Sequence, residues 1–179
     1  MEARPQNFYK PEDLPLEGRT ELGLAAASGN LDECRRLIES GENPLDPDSY
    51  LETPLHLACC FGHLSVVKML VRECRVDLDP VNWEGWTPIC FSVARGHIAV
   101  MKYLLKCRSD GQWISSCGWQ LMHIASWYNQ AEIVEWLAKH GATTLTETAH
   151  SCRAFDMTRP GHARRILYEC MQEELNEDM

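Results

Sequence analysis

The chain has 179 residues, 45% of them hydrophobic, with 26 acidic against 17 basic side chains and a formal net charge of -9. That length holds one ordinary domain, and the acidic excess argues against a nucleic-acid partner, because phosphate contacts depend on Lys and Arg. No apolar run approaches the ~18 to 20 residues that span a bilayer, and Met1-Glu2-Ala3-Arg4-Pro5 lacks the apolar core of a secretory leader, so no membrane partner and a cytoplasmic, also nuclear, location are expected.

Residues 1–15 read as an N-terminal arm. Pro11 and Pro15 interrupt it and it has no periodicity, while Phe8 and Tyr9 favour a strap laid over the first of the repeated units. From residue 16 onward a motif recurs. Its fullest form is Thr53-Pro54-Leu55-His56-Leu57-Ala58, followed by Gly62-His63 and the apolar pair Val66-Val67. Aligned on the threonine slot, the copies begin at Thr20, Thr53, Thr87, Gln120 and Arg153, separated by 33, 34, 33 and 33 positions. Threonine is a good N-cap, and proline at the first helical position loses no hydrogen bond. A short inner helix is therefore predicted after each slot, with Leu55, Ile89 and Met122 in the core beside the small residues Ala25, Ala58, Ser92 and Ala125. It ends at Gly29, Gly62, Gly96 and Asn129, the residue types that tolerate a left-handed backbone.

A second helix follows in each copy, with apolar Val66, Val67, Leu70, Val71 and Ile133, Val134, Leu137 inward and Lys68, Lys102, Glu135 and Lys139 outward. Between copies, Asn82-Trp83-Glu84-Gly85 and Ser115-Ser116-Cys117-Gly118 read as turns. The one longer interval places an extra residue within 73–80. The predicted units lie near 16–47, 48–81, 82–114, 115–147 and 148–172, and residues 173–179 form an acidic, solvated helix end.

The period and the T-P-L-H-x-A signature resemble the ankyrin-repeat family over roughly Leu16 to Gln172. The resemblance implies an all-α solenoid of about five helix-turn-helix units with β-turn fingers. It also implies a non-catalytic protein-binding function as an adaptor, scaffold or stoichiometric inhibitor, monomeric when free. In that family the contact positions are the finger tips, the residue before the threonine slot and the end of the inner helix. Carried over, they select Tyr50, Glu52, Phe61, Trp83, Glu84, Trp86, Arg95, Trp119, Trp127 and Tyr128 as partner-binding residues on the concave face. Large aromatics concentrate binding energy at interfaces, and the acidic balance favours a basic protein partner.

Packing competes with binding for each aromatic, since a finger tryptophan can lie across its neighbour. Trp136 and Tyr103 read as packing and Trp113 is left open. His56, His63, His97, His123 and His162 fill repeat slots and read as structural, whereas His150 sits at a finger tip. Nine cysteines, with Cys34, Cys59, Cys90 and Cys170 at packing positions and no C-x-x-C pair, read as reduced thiols. No cofactor, metal or catalytic residue is expected. A second reading builds a methyl-lysine cage from Trp83, Glu84, Trp86 and Trp119.

Overall fold

A computed structural model describes residues 17–177; the arm predicted at 1–15 lies outside them. Among the described residues there are ten helices and no strand. They are α1 (Glu21–Ser28), α2 (Leu31–Glu39), α3 (Pro54–Cys60), α4 (Leu64–Arg72), α5 (Pro88–Ala94), α6 (Ile98–Lys106), α7 (Leu121–Trp127), α8 (Ala131–Lys139), α9 (Ala154–Met157) and α10 (His162–Glu177). The predicted helical fold class is present, with a short inner and a nine-residue outer helix in each of the first four pairs.

The chain divides into two compact units, one running to Ser92 and taking in Ala99–Ser109, the other made of Val93–Ile98 and the residues from Asp110 onward. In the first, α1 packs on α2 and α3, and α4 on α2 and α3; in the second, α7 packs on α8 and α9, and α10 on α8 and α9. The inward residues are those the periodicity selects: Leu55, Ala58, Ile89, Ser92, Met122 and Ala125 are all buried, as are Val66, Val67, Leu70, Ile133 and Val134. Tyr103 and Trp113 are also buried, and Trp136 stacks on His140 with ring centroids 3.8 Å apart.

The helix starts use two chemistries. At Thr20 the hydroxyl accepts from the Gly23 amide at 3.0 Å, the ordinary N-cap bond. At Thr53 both the backbone N–H and the hydroxyl lie 3.0 Å from His56 Nδ1, and the other ring nitrogen, Nε2, donates to the Trp86 carbonyl at 3.1 Å. His123 repeats the arrangement, accepting from the Gln120 amide at 3.1 Å and reaching the Thr146 carbonyl at 3.1 Å. Burial pulls the His56 pKa down to about 4, so the ring is neutral at pH 7.

The helix ends meet their expected constraint at Gly29, whose φ is 72°. A Cβ there would stand 2.5 Å from His63 Nδ1, and the same His63 holds the Ala27 carbonyl through Nε2 at 2.8 Å. Asn129, at φ 56°, takes the left-handed position after α7. The extra residue lies between Arg72 and Asn82: α4 and α6 are both nine residues long, and their pairs are otherwise in register.

Two expectations change at the C-terminal end. The last inner helix, α9, is only four residues, whereas α10 has 16 and takes in the predicted helix end as far as Glu177. Glu174 is not simply solvated: its carboxylate accepts from the Thr143 hydroxyl (2.6 Å), the Thr144 hydroxyl (2.7 Å) and the Thr144 amide (2.8 Å). It ties α10 to the end of the α8 segment.

All nine cysteines are free thiols, and Cys34, Cys59 and Cys90 are fully buried. Burial pushes the Cys34 thiol up to about 11 and the Cys90 thiol up to about 12. These three should resist a thiol reagent until the protein is denatured, which a two-step thiol titration reads directly; immediate reaction of all nine contradicts the packing.

The His56 cap sets two stability outcomes. Thr53→Val removes a hydroxyl partner from a buried ring and should cost about 0.5 to 2 kcal/mol in urea melts. The folded-state pKa of His56 lies below the 6.5 of the unfolded chain, so only the unfolded chain binds a proton between those values. Stability should therefore be full above pH 6.5 and fall as pH drops to about 4, by on the order of 3 kcal/mol. His56→Gln should lack this part of the slope; identical slopes in the two proteins would show that the ring titrates normally.

Candidate protein-binding surface

Four of the fingers are closed by a short side-chain oxygen. Asp48 Oδ1 accepts from the Tyr50 amide at 2.8 Å and the Glu52 amide at 2.9 Å. Asn82 Oδ1 takes the Glu84 and Trp86 amides at 3.0 and 2.9 Å. Ser115 Oγ does the same for Cys117 and Trp119, as does Thr148 Oγ1 for His150 and Cys152. The turns then place one residue in the left-handed region: Gly18, Leu51, Gly85, Gly118 and Ser151, with φ between 54° and 79°. One main-chain bond joins neighbouring fingers within a unit, from Ser49 to Gly18 (2.9 Å), Trp83 to Tyr50 (3.3 Å) and Ala149 to Cys117 (2.9 Å).

In the first unit the fingers carry a buried ionic cluster. The Arg19 guanidinium bonds Asp48 and, at 2.5 Å, Glu52, and lies 4.4 Å over the Tyr50 ring. Burial raises the Glu52 carboxyl above its ordinary range, and although Arg19 pulls it back, Asp48 adds to the rise. For Arg19, burial opposes the charge, but the bond to Asp48 and the charge of Glu52 leave its pKa raised. Asn82 Nδ2 donates to Glu52 at 3.4 Å, so the next finger leans on the same carboxylate.

The ten sequence-selected residues separate under this geometry. Trp83 is 64% exposed at a finger tip, beside an exposed Glu84 whose carboxyl is raised by loss of solvation and then by the charge of Glu52. Tyr50 and Phe61 are half-buried. Two selections need correction as contact residues. Glu52 is 4% exposed because it neutralises Arg19, and Trp86 is 6% exposed because its ring packs edge-on against Phe91 at 6.0 Å. Its carbonyl is held by His56 and its amide by Asn82.

In the second unit Trp119 meets Trp127 edge-on at 5.8 Å, and both rings are half-exposed, as are Tyr128 and Arg95. Trp119 also leans on His123, with centroids 6.4 Å apart. The finger residue and the inner-helix end are thus one aromatic pair here.

Leu51, which the periodic pattern did not select, is 50% exposed in a left-handed conformation where three other fingers have glycine. A non-glycine residue there carries strain. The glycine column at Gly18, Gly85 and Gly118 is the signal that marks it. Arg19 was legible in the same way, since it and Glu52 are opposite charges in the same slot of successive repeats. Among the described residues no group of three or more His, Cys, Asp or Glu is placed to hold a metal ion, and no helix is long and apolar enough to cross a membrane.

Comparison with known proteins gives the same repeat. A family model described as ankyrin repeats (three copies) matches residues 5–82 and 74–148. The chain is 30% identical over 125 residues to neurogenic locus notch homolog protein 1 of Danio rerio, covering 70% of this chain and 5% of that protein. It is 28% identical over 125 residues to notch homolog protein 2 of Homo sapiens, with the same coverage. Against ankyrin repeat protein nuc-2 of Neurospora crassa it is 26% identical over 152 residues, 85% of this chain and 14% of that one. The chain thus spans a small fraction of the length of the curated relatives it matches.

The two finger tryptophans should part company under mutation. Trp86→Ala empties a packed site and should cost about 3 to 5 kcal/mol, whereas Trp83→Ala should leave the melting curve within about 0.5 kcal/mol of wild type. Equal losses in the two variants would contradict the placement of one ring inside and the other outside.

Proposed function

Since the chain belongs to the ankyrin-repeat family, whose repeats generally mediate protein–protein interaction, we propose that it is a non-catalytic binding module acting as an adaptor, scaffold or stoichiometric inhibitor. The contact residues proposed are Tyr50, Trp83 and Glu84 with Leu51 in the first unit, and Trp119, Trp127 and Tyr128 in the second, with Phe61 and Arg95 beside them at inner-helix ends. The observation that carries this reading is the 64% exposure of Trp83 at a finger tip. An exposed indole is costly unless a partner covers it, and aromatic anchors are where interfaces concentrate their energy. The net charge of -9 favours a partner surface rich in Lys and Arg.

The methyl-lysine reading is weaker. A cage needs aromatic faces open to the ammonium, and Trp86, one of its proposed walls, is turned onto Phe91. The histidines best placed for acid–base work are spent on structure, with His56 bonded at both ring nitrogens.

The test is affinity capture from native lysate followed by calorimetry on the captured partner. Trp83→Ala and Trp127→Ala should each weaken binding about 30-fold, on the order of 2 kcal/mol, with unchanged circular dichroism. Lys68→Ala, on an outer helix, should change affinity less than about twofold. Normal binding by both tryptophan variants would move the interface elsewhere.

A further inference from the structure

The junction of α9 and α10 carries an open surface hollow of about 330 Å³ lined by Phe155, Pro160, Gly161, Arg164, Arg165 and Tyr168. We infer that this is a second binding site, taking a short acidic segment of a partner protein: an aliphatic or aromatic side chain laid against the exposed ring of Tyr168, with flanking carboxylates on the two arginines.

Its chemistry departs from that of the rest of the chain. Acidic side chains outnumber basic ones 26 to 17 overall, yet positions 155–168 hold Arg159, His162, Arg164 and Arg165 against one carboxylate, Asp156, which accepts from the Arg153 amide at 2.9 Å at the start of α9. The walls are aromatic. Phe155 and Tyr168 meet at a tilt of 47° with centroids 6.3 Å apart, and Tyr168 keeps 52% of its surface exposed, so its ring is open to a partner. Arg164 is held in place before any ligand arrives: its guanidinium lies 4.2 Å over the Phe155 ring, and Nη1 donates to the Thr158 carbonyl at 3.0 Å. An arginine has five N–H donors in a fixed fork matched to a carboxylate, so stacking and one carbonyl bond orient the fork without using it up. Preorganisation of this kind lowers the entropy lost on binding.

Arg165 supplies the second cation. Nη2 donates to His162 Nδ1 at 3.0 Å, and Nε is 4.0 Å from Glu169, with both of those charged side chains mostly exposed. A pair that long and that solvated contributes little, so an incoming carboxylate can displace it. The hollow is shallow and open to solvent, so it suits a segment laid across the surface rather than an enclosed small molecule.

A short peptide fits better than a polyanion. Charges separated by more than the Debye length of ~8 Å are screened, so two or three carboxylates feel the local arginines more than the distant acidic surface. A nucleic-acid strand would extend well beyond this patch and be repelled by a chain of net charge -9. The site is also distinct in preference from the finger surface, where the proposed partner is basic.

The test is an NMR titration of the full chain, ¹⁵N-labelled, with the capped peptide Gly-Asp-Glu-Leu-Phe-Glu-Asp-Gly. The controls are the same peptide with lysine at the four acidic positions and a ten-nucleotide single-stranded RNA. Amide shifts should be confined to residues 155–168. Arg165→Glu, at an exposed position that leaves the fold intact, should weaken the peptide about tenfold or more. Tyr168→Ala should weaken it as well, whereas Trp83→Ala and Trp127→Ala should bind it as wild type does. The inference is overturned by no shift at millimolar peptide, by shifts centred elsewhere, by equal binding of the lysine peptide or tighter binding of the RNA, or by an Arg165→Glu variant with unchanged affinity.

Discussion

A helix of seven to nine residues does not hold itself together in water, because nucleation costs more than so few hydrogen bonds return. Every helix from α1 to α8 is of that length, so each depends on burial against a neighbour. The histidine of the T-P-L-H motif makes capping and stacking a single interaction. His56 closes the first turn of its own helix with one nitrogen and holds the Trp86 carbonyl of the next finger with the other. It can accept from the Thr53 amide only while neutral, and burial keeps it so by depressing its pKa, although the bond to the Trp86 carbonyl pulls the other way. His123 does the same with Thr146 in the second unit.

Much of this was legible in the sequence because repetition turns weak local signals into columns. The helix-start slot, the turn glycines and the apolar slots each recur about every 33 residues, and helices α1 to α8 begin and end within about two residues of where those columns place them. Which finger side chains point outward was not legible from the columns alone. Trp83 and Trp86 lie three residues apart in one finger, and the choice between them rests on Phe91, whose ring gives Trp86 an edge to pack on. Glu52 likewise turns inward because Arg19 occupies the same slot one repeat earlier and needs a counter-charge. Opposite charges in one column are visible in the sequence, but the burial that makes them pair is a property of the stacked fingers. The short oxygens at Asp48, Asn82, Ser115 and Thr148 form another column, and they close the fingers without any strand.

At the C-terminal end the repeat pattern weakens and the structure departs from it. The four-residue α9 carries Phe155 under the Arg164 guanidinium of α10, and the longer α10 is tied down by Glu174 on Thr143 and Thr144. Charge is segregated along this last helix, with arginines in its first turn and carboxylates from Glu169 onward. The two proposed contacts are thus opposite in charge, the fingers taking a basic surface and the hollow at α9 and α10 an acidic segment. Two contacts of opposite character can fix the orientation of a partner as well as its identity.

The central claim is that the exposed finger and inner-helix aromatics form the partner surface, while the outer helices only support it. Hydrogen–deuterium exchange of the free chain and of its complex with a captured partner tests it most directly. Slowed exchange around residues 49–51, 83–85, 116–119 and 127–129, with the outer helices α2, α4, α6 and α8 unchanged, is the predicted result. Protection confined to those outer helices would contradict it.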